Sequence, residues 1–367
     1  MTNTDALDLH YTKLSPRGEV EGSYITPSTQ LILKAAEALG VRWREIPGTR
    51  IFELQYNGTN KLFRYQISIN TTDIGFYTCL DKSVTNTILK ANEISVPNGF
   101  HLEKTDTEEY WLEAFHSLTK PTVIKPTHGN KGIGISVGVT EEADFLERVR
   151  AAFALFENDS EAGVIIEEQC QGEEFRVIAT KGKVLGVLQR IPANVVGDGI
   201  HTIQELIAEK NTHPYRNIFE SKLYPKIKAD ALTEEMLREQ GLSLMSILEK
   251  NYQVFLRKVS NISQGGDSVD LTSQIHPTFA EVANKVANSL PGIDFMGIDI
   301  MTADIRQSVE RSPYHVIEVN SSPGFDIHEF PMTGKRQFIA LEFVLLAFPE
   351  LRPRLATMTT EQLENLY

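Results

Sequence analysis

The chain has 367 residues, 41% of them hydrophobic, and a formal net charge of −13 at pH 7. That length exceeds one ordinary core, so two or three subdomains are expected. The acidic balance argues against a nucleic-acid backbone as the main partner, which needs clustered Lys and Arg, but leaves room for a local basic pocket. No apolar run approaches the ~20 residues of a membrane span. The opening residues, Met1-Thr2-Asn3-Thr4-Asp5, lack the basic-then-apolar pattern of a signal peptide. The two cysteines, Cys79 and Cys170, form neither a C-x-x-C pair nor a metal set, which suits a reducing cytoplasm.

In chain order, residues 1–22 are polar and expected to order only by docking. The pattern predicts a helix over 27–41, with Ser28 as cap, Leu31, Ile32, Ala35, Ala36 and Leu39 as its stripe and Gly40 as its end. Strands follow near 51–56 and 61–70, joined by the hairpin signal Asn57-Gly58. A helix opens at Asp81-Lys82 and runs to about Asn92. A strand is expected after Pro97 and a helix over 109–117. Then come strand 121–126, a glycine-rich loop, strand 133–139, helix 141–155 and strand 163–168. Residues 173–196 read as strands of a larger sheet. Residues 203–252 are polar and mostly helical, an insertion or outer layer. Strands near 253–259, 294–301 and 313–320, with helices over 276–289 and 335–347, complete the chain. No repeat of 20–50 residues is visible.

The strands near the C-terminal end carry the most informative residues. One ends in Met296-Gly297-Ile298-Asp299-Ile300; the other delivers Glu318-Val319-Asn320-Ser321-Ser322-Pro323-Gly324. Burying a carboxylate without a partner is very costly. Asp299, Glu318 and Asn320 are all hard oxygen ligands, and the period of two puts Glu318 and Asn320 on one face. With Asp299 on a neighbouring strand, the three suit Mg²⁺ bridged to nucleotide phosphates.

Four other segments carry chemistry. Val123-Ile124-Lys125-Pro126 runs into Thr127-His128-Gly129-Asn130-Lys131-Gly132-Ile133-Gly134. Here Lys precedes the glycines and a strand follows, so this is not a Walker loop, and the spacing misses the dinucleotide fingerprint. Lys125 would give phosphates a point charge, and the glycines would let backbone approach an anion. Val164-Ile165-Ile166-Glu167-Glu168-Gln169-Cys170 leads to Gly172-Glu173-Glu174-Phe175-Arg176, with Glu174 and Arg176 on one face. Its linker backbone could read an adenine edge, and Glu174 could accept ribose hydroxyls. Leu256-Arg257-Lys258 through Asn261 to Gly265-Gly266-Asp267 suits an anionic intermediate, since Arg is always charged. Arg190 and Asn194 are candidate functional residues beside Gly197-Asp198-Gly199, which reads better as a structural turn. Alone, the first segment reads equally as a plain hairpin loop, the second more readily as an acidic surface turn, and the third also as a loop with ordinary surface basics. His101, His201, His276 and His315 lack zinc spacing and read as structural or solvated. No Gly-x-Ser-x-Gly elbow is present.

Taken in order, these motifs resemble the ATP-grasp superfamily, an α+β fold in which two subdomains clamp ATP. Within it they are most similar to the grasp module of cyanophycin synthetase and of bifunctional glutathione synthetase. The phrases from Ala193 to Ile203 and from Asn261 to Ser268 carry that closer likeness, and the resemblance covers roughly 26–350. It implies a small N-terminal α/β unit over 1–80, a lid subdomain over 81–168, and a metal and substrate subdomain over 169–367 with a helical insertion at 203–252.

The resemblance implies an ADP-forming carboxylate–amine ligase. ATP phosphorylates the carboxylate of an amino acid or small peptide, and an amine attacks the acyl phosphate. Lys82 and Lys125 then correspond to phosphate-binding lysines, and Gly129, Gly132 and Gly134 to a flexible lid. The backbone of Glu168 and Cys170 becomes the adenine hinge, with Glu167 near the amino group, and Glu174 the ribose acceptor. Asp299, Glu318 and Asn320 become ligands of Mg²⁺ (or Mn²⁺). Arg257 and Asn261 take catalytic roles, and Arg176, Arg190, Asn194, Ser321, Ser322 and Gly324 face the substrate. Phosphoryl transfer asks mainly for positioning and charge neutralisation, which fits a set without a nucleophilic side chain. The alternatives are a small-molecule kinase of the same fold and a nucleotide-binding scaffold without turnover. Neither nucleic acid nor membrane is an expected partner; a homodimer is expected by analogy.

Overall fold

The computed structural model describes residues 25–129, 132–157, 159, 162–216, 223–364 and 366. The expectation for residues 1–22 lies outside them. In chain order the strands are β1 (Arg42–Ile46), β2 (Ile51–Tyr56), β3 (Thr59–Arg64), β4 (Gly99–Leu102), β5 (Thr122–Pro126), β6 (Ser136–Val139), β7 (Val164–Glu168), β8 (Glu173–Thr180), β9 (Lys183–Ile191), β10 (Asn194–Val196), β11 (Gln253–Phe255), β12 (Asp267–Asp270), β13 (Phe295–Thr302) and β14 (Tyr314–Asn320). The chain groups into two compact units. One takes residues through 71, 191–270 and 322–367; the other takes 72–190 and 271–321.

In the first unit, helix Pro27–Ala38 buries Leu31, Ile32, Ala35 and Ala36 completely. Each large side chain so buried is worth about 1.5–3 kcal/mol. Gly40, at φ 73°, takes the left-handed turn after the helix. The expected cap is corrected. Thr26 accepts the Thr29 N–H at 3.2 Å, and Pro27 fills the first helical position with its φ already set. Ser28 lies inside the first turn, where its oxygen accepts the N–H groups of Phe325 and Asp326 at 2.9 and 3.1 Å. β1, β2 and β3 form an antiparallel meander. Asn57 and Gly58 both take positive φ, 47° and 77°, which fits a tight hairpin. β3 stops at Arg64, short of the expected 70, because Tyr65 turns to φ 56°. β1 was not foreseen; its alternation is broken by charge.

The 203–252 segment is only partly helical, with helices Ile203–Lys210 and Ala231–Glu239. A Thr202–Glu205 capping box opens the first. Ile203, Leu206, Ile207 and Leu237 pack with Val195 and Val254 of the β10–β11 ladder and with Leu256 just beyond it into a small core of their own. The expected strand over 253–259 is shortened to β11. Gly197-Asp198-Gly199 is the structural turn expected: Asp198 Oδ1 accepts the N–H groups of Ile200 and His201 at 2.8 and 2.9 Å.

The second unit holds two antiparallel sheets. β4-β7-β5-β6 form one, and β9-β8-β13-β14 run consecutively in the other. Helices Glu108–Ser117 and Glu142–Leu155 cover the first, where Phe115 and Phe145 stack at 4.4 Å. Helix Pro277–Ser289 packs on β8. Helix Lys82–Ala91 begins at the expected point, capped by Asp81, whose Oδ1 accepts Ser83 N–H at 2.7 Å. Helix Asp73–Leu80, capped by Thr72, was not foreseen. β6 starts at Ser136, not 133, because Gly134 takes φ 74°.

Candidate active site

Sheet register builds the site. Arg176 on β8, Asp299 on β13 and Glu318 on β14 are directly opposite one another across three adjacent strands. Residues opposite one another share a face, as do residues two apart. Glu174, opposite Arg190 on β9, and Asn320 therefore join the same face. The expectation that Asp299 neighbours the Glu318–Asn320 strand holds.

Asp299 is 2% exposed, and its partners are guanidinium groups. Arg176 grips both oxygens, with Nη2–Oδ2 at 2.6 Å, and Arg190 Nη2 lies 3.3 Å from Oδ1. Arg190 Nη1 also donates to Glu174 Oε1 at 2.7 Å. Burial pushes the Asp299 carboxyl up, but Arg176 and Arg190 outweigh it and hold the group below its usual range. The two arginines expected at the substrate thus face the site's own carboxylates.

The other sheet and a helix supply one lysine each. Lys125, on β5 and 5% exposed, donates from Nζ to Glu167 Oε1 at 2.7 Å and to the Ile317 carbonyl of β14 at 3.4 Å. Lys82, first in its helix, reaches Glu318 Oε1 at 3.5 Å and donates to the Gly129 carbonyl at 2.9 Å. Glu167 is 4% exposed and its Oε2 has no hydrogen-bond partner among the described residues. A buried acceptor left over costs roughly 1–3 kcal/mol, so it points to a missing donor. Next to it, Glu168 is tied by Oε1 to Thr119 N–H at 2.9 Å. The N–H groups of Glu168 and Gln169 go to the carbonyls of Asn98 and Pro121, at 2.8 and 3.0 Å. Cys170 is half-buried, and burial and Glu167 push its thiol up to about 12. Burial and Glu318 do the same for Cys79, also to about 12.

The glycines of the loop have a steric reason. Gly129, Gly132 and Gly134 take φ of 118°, 77° and 74°. A Cβ at Gly134 would lie 2.8 Å from Leu155 and 2.9 Å from Pro126. Asn130 and Lys131, within the expected lid, lie outside the described residues. Lys82, His128, Gly129, Gly132 and Glu318 line a cavity of about 20 Å³, room for roughly one water. His128 is the residue that sequence reasoning passed over here. Its signal was its place between the lysine strand and the first loop glycine.

The donor set fits a hard divalent cation. Mg²⁺ takes one or two carboxylates along with phosphates and water, and Asp299, Glu318 and Asn320 offer two carboxylates and an amide on one face. Among the described residues no group of three or more His, Cys, Asp and Glu side chains gathers for a metal. A closed protein cage of the zinc kind is not what these residues form.

The remaining candidates lie in the first unit, except Ser321, which is buried at the end of β14. Arg257, 8% exposed, gives Nη2 to both Asp230 oxygens at 2.8 and 2.9 Å and Nη1 to Thr233 Oγ1 at 2.5 Å. Asn194, 3% exposed, donates to Asp267 Oδ2 at 3.0 Å and accepts from Lys210 Nζ at 3.0 Å. Asn261 caps a short turn through Ser263 N–H at 3.0 Å. Ser322 Oγ accepts Gln66 N–H at 3.3 Å. A Cβ on Gly324 would lie 3.4 Å from Asp326 Oδ1, an ordinary contact. These residues are held by their own fold. No helix among the described residues is long and apolar enough to cross a membrane.

No family model matches the chain. It is 32% identical to cyanophycin synthetase of Geminocystis herdmanii over 90% of its length, which is 37% of that protein. It is 37% identical to the bifunctional glutathione biosynthesis protein GshAB of Mannheimia succiniciproducens over 74% of its length, 35% of that protein. The chain therefore spans little more than a third of the curated relatives it matches. Among solved structures, the bifunctional glutathione synthetase of Pasteurella multocida superposes with a TM-score of 0.66 at 28% identity, covering 88% of this chain and 44% of that one. The chain is a relative of cyanophycin synthetase and of bifunctional glutathione synthetase over the part it spans, and its α+β fold is the ATP-grasp fold.

Proposed function

We propose that the chain is an ADP-forming carboxylate–amine ligase acting on an amino acid or small peptide. One observation supports this reading most: Lys82 and Lys125, from separate segments, both reach β14, at Glu318 and at the Ile317 carbonyl. Cations placed beside a face of metal-ligating oxygens suit a triphosphate and its transferring phosphoryl group. The partnerless, buried Glu167 Oε2 supports an adenine amino group at the hinge, and Glu174 on the site face supports the ribose contact.

In this reading Lys82 and Lys125 orient the phosphates. Asp299, Glu318 and Asn320 would hold Mg²⁺, which supplies charge neutralisation when bound. Gly129, Gly132 and Gly134 give the loop a backbone able to approach an anion. The carboxylate oxygen attacks the γ-phosphorus and ADP leaves. The amine then attacks the acyl carbon and phosphate leaves, forming the amide. Excluding water protects the acyl phosphate in between. The roles of Arg257 and Asn261 in catalysis, and of Asn194, Ser321, Ser322 and Gly324 at the substrate, stay with the resemblance that implied them, as does the division at residues 80 and 168.

The test is ATP and Mg²⁺ with a panel of amino acids and dipeptides, following ADP, AMP, phosphate and product mass. ADP, phosphate and an amide product are expected. AMP release would sink the acyl-phosphate route, and a stable phosphorylated acceptor would make the chain a kinase. Nucleotide binding with no turnover across the panel would favour a scaffold.

A further inference from the structure

Arg176 and Arg190 have no part in the reading so far, yet they tie the carboxylates of the site face together. Across β8, β13 and β14, Asp299 stands between Arg176 on one side and Glu318 on the other. Arg176 takes both Asp299 oxygens, Nε on Oδ1 and Nη2 on Oδ2 at 2.6 Å. Arg190 adds Nη2 to Oδ1 at 3.3 Å and gives Nη1 to Glu174 Oε1 at 2.7 Å. The Arg176 and Asp299 side chains are 10% and 3% exposed, so solvent screens this pair little. Arginine stays charged at any working pH, and its planar fork matches a carboxylate at two points.

The charges of the face pair off. Glu174 meets Arg190, Asp299 meets Arg176, and Glu318 meets Lys82 at 3.5 Å. Three carboxylates and three cations leave this face without a net charge for a divalent ion to neutralise. A metal drawn to Asp299 also comes up against a guanidinium, and positive charges a few ångströms apart repel strongly where water is scarce. A nucleoside triphosphate changes that balance, because its oxygens bring several negative charges to the same face.

We propose that Arg176, helped by Arg190, is a positioning residue that holds Asp299 against divalent metal until the triphosphate arrives. Metal and nucleotide then bind together, each raising the affinity for the other. The proposal rests on the reading that Asp299 and Glu318 ligate Mg²⁺. Arg176 carries more of the effect than Arg190, which reaches one Asp299 oxygen and keeps a buried Nε with no hydrogen-bond partner among the described residues.

Mn²⁺ binding, read from the free-ion EPR signal, tests it on the full chain without nucleotide and saturated with AMPPNP. Arg176→Met should tighten Mn²⁺ without nucleotide by about tenfold or more, because the opposing charge has gone. In the AMPPNP complex the same change should move Mn²⁺ affinity by no more than about threefold, so the coupling between metal and nucleotide shrinks. Adding Asp299→Asn to Arg176→Met should abolish the gain; a gain that survives places the metal elsewhere and overturns the proposal. Unchanged or weaker Mn²⁺ binding by Arg176→Met without nucleotide would overturn it too, and leave Arg176 a structural clamp. Glu318→Gln separates the two readings. If it weakens Mn²⁺ in the AMPPNP complex while Arg176→Met shows no gain, only the role of Arg176 fails. If it changes nothing, the metal site itself is misplaced and both fall. Should Arg176→Met not fold, Arg190→Met must tighten Mn²⁺ without nucleotide by roughly two- to threefold, and unchanged affinity would overturn the proposal.

Discussion

Two sets of motif residues look alike in sequence and differ in the structure. Glu174, Arg176, Asp299 and Glu318 sit on one sheet face, where charges gather at a density that packing alone does not require. Arg257, Asn194 and Asn261 sit in the other unit, where each serves its own fold: Arg257 holds a helix cap, Asn194 links Lys210 to Asp267, and Asn261 closes a turn. A charged or amide residue in a memorable phrase is thus two different things. On the first face the partners leave something over: Arg190 Nε is buried and has no hydrogen-bond partner among the described residues. In the first unit the hydrogen-bond partners of Arg257, Asn194 and Asn261 account for the local geometry.

Four substitutions press on that difference. Glu318→Gln should have the largest effect, a loss of about 100-fold or more in Mg²⁺-dependent ADP formation with the fold kept, because it removes a charge from the proposed metal site. Circular dichroism and the amino-acid panel check it, and retained turnover removes Glu318 from the metal site. Asn194→Ala should act on the fold instead. It strips partners from half-buried Lys210 and Asp267, a loss of roughly 2 kcal/mol by urea unfolding, while AMPPNP affinity stays near wild type. A large drop in affinity without loss of stability would reverse the assignment.

Glu174→Ala should raise the ATP KM roughly tenfold by removing a ribose acceptor, with kcat changed less; an unmoved KM contradicts the ribose role. The smallest effect belongs to Asp230. Its folded carboxyl lies below its usual value: burial opposes this, but Thr233 and Arg257 outweigh it. The native state therefore binds its proton more weakly than the unfolded chain. Its contribution to stability is present above the unfolded value near ~4 and fades as pH falls through the lower folded value. Urea midpoints of wild type and Asp230→Asn should converge as pH falls below ~4. Curves that stay parallel would exclude Asp230 as the source.

Much of this was legible in the chain because it is local. Asn57-Gly58 dictates a hairpin, Asp81 caps Lys82's helix, and the Glu318–Asn320 spacing puts two ligands on one face. The strand order β9-β8-β13-β14 was not legible, since register between distant strands leaves no local mark. That order puts Arg176 opposite Asp299. The resemblance put Arg176 and Arg190 at the substrate, with no view of the carboxylates opposite them. Ser28 misled for a similar reason: a serine near a helix start resembles a cap, and only the turn at 325–326, nearly 300 residues on, explains it. β1 and helix Asp73–Leu80 were missed because neither shows a clean apolar period.

The two cysteines give the molecule a built-in clock. With both thiols pushed up to about 12, the reactive thiolate is scarce at neutral pH. An alkylating reagent such as iodoacetamide should therefore react mainly when a thiol's surroundings open. Cys79 lies in the last turn of helix Asp73–Leu80 and Cys170 just past β7, both in the second unit. The ratio of their labelling times would report which part of that unit opens first. Adding AMPPNP should slow Cys170 if nucleotide settles on the hinge.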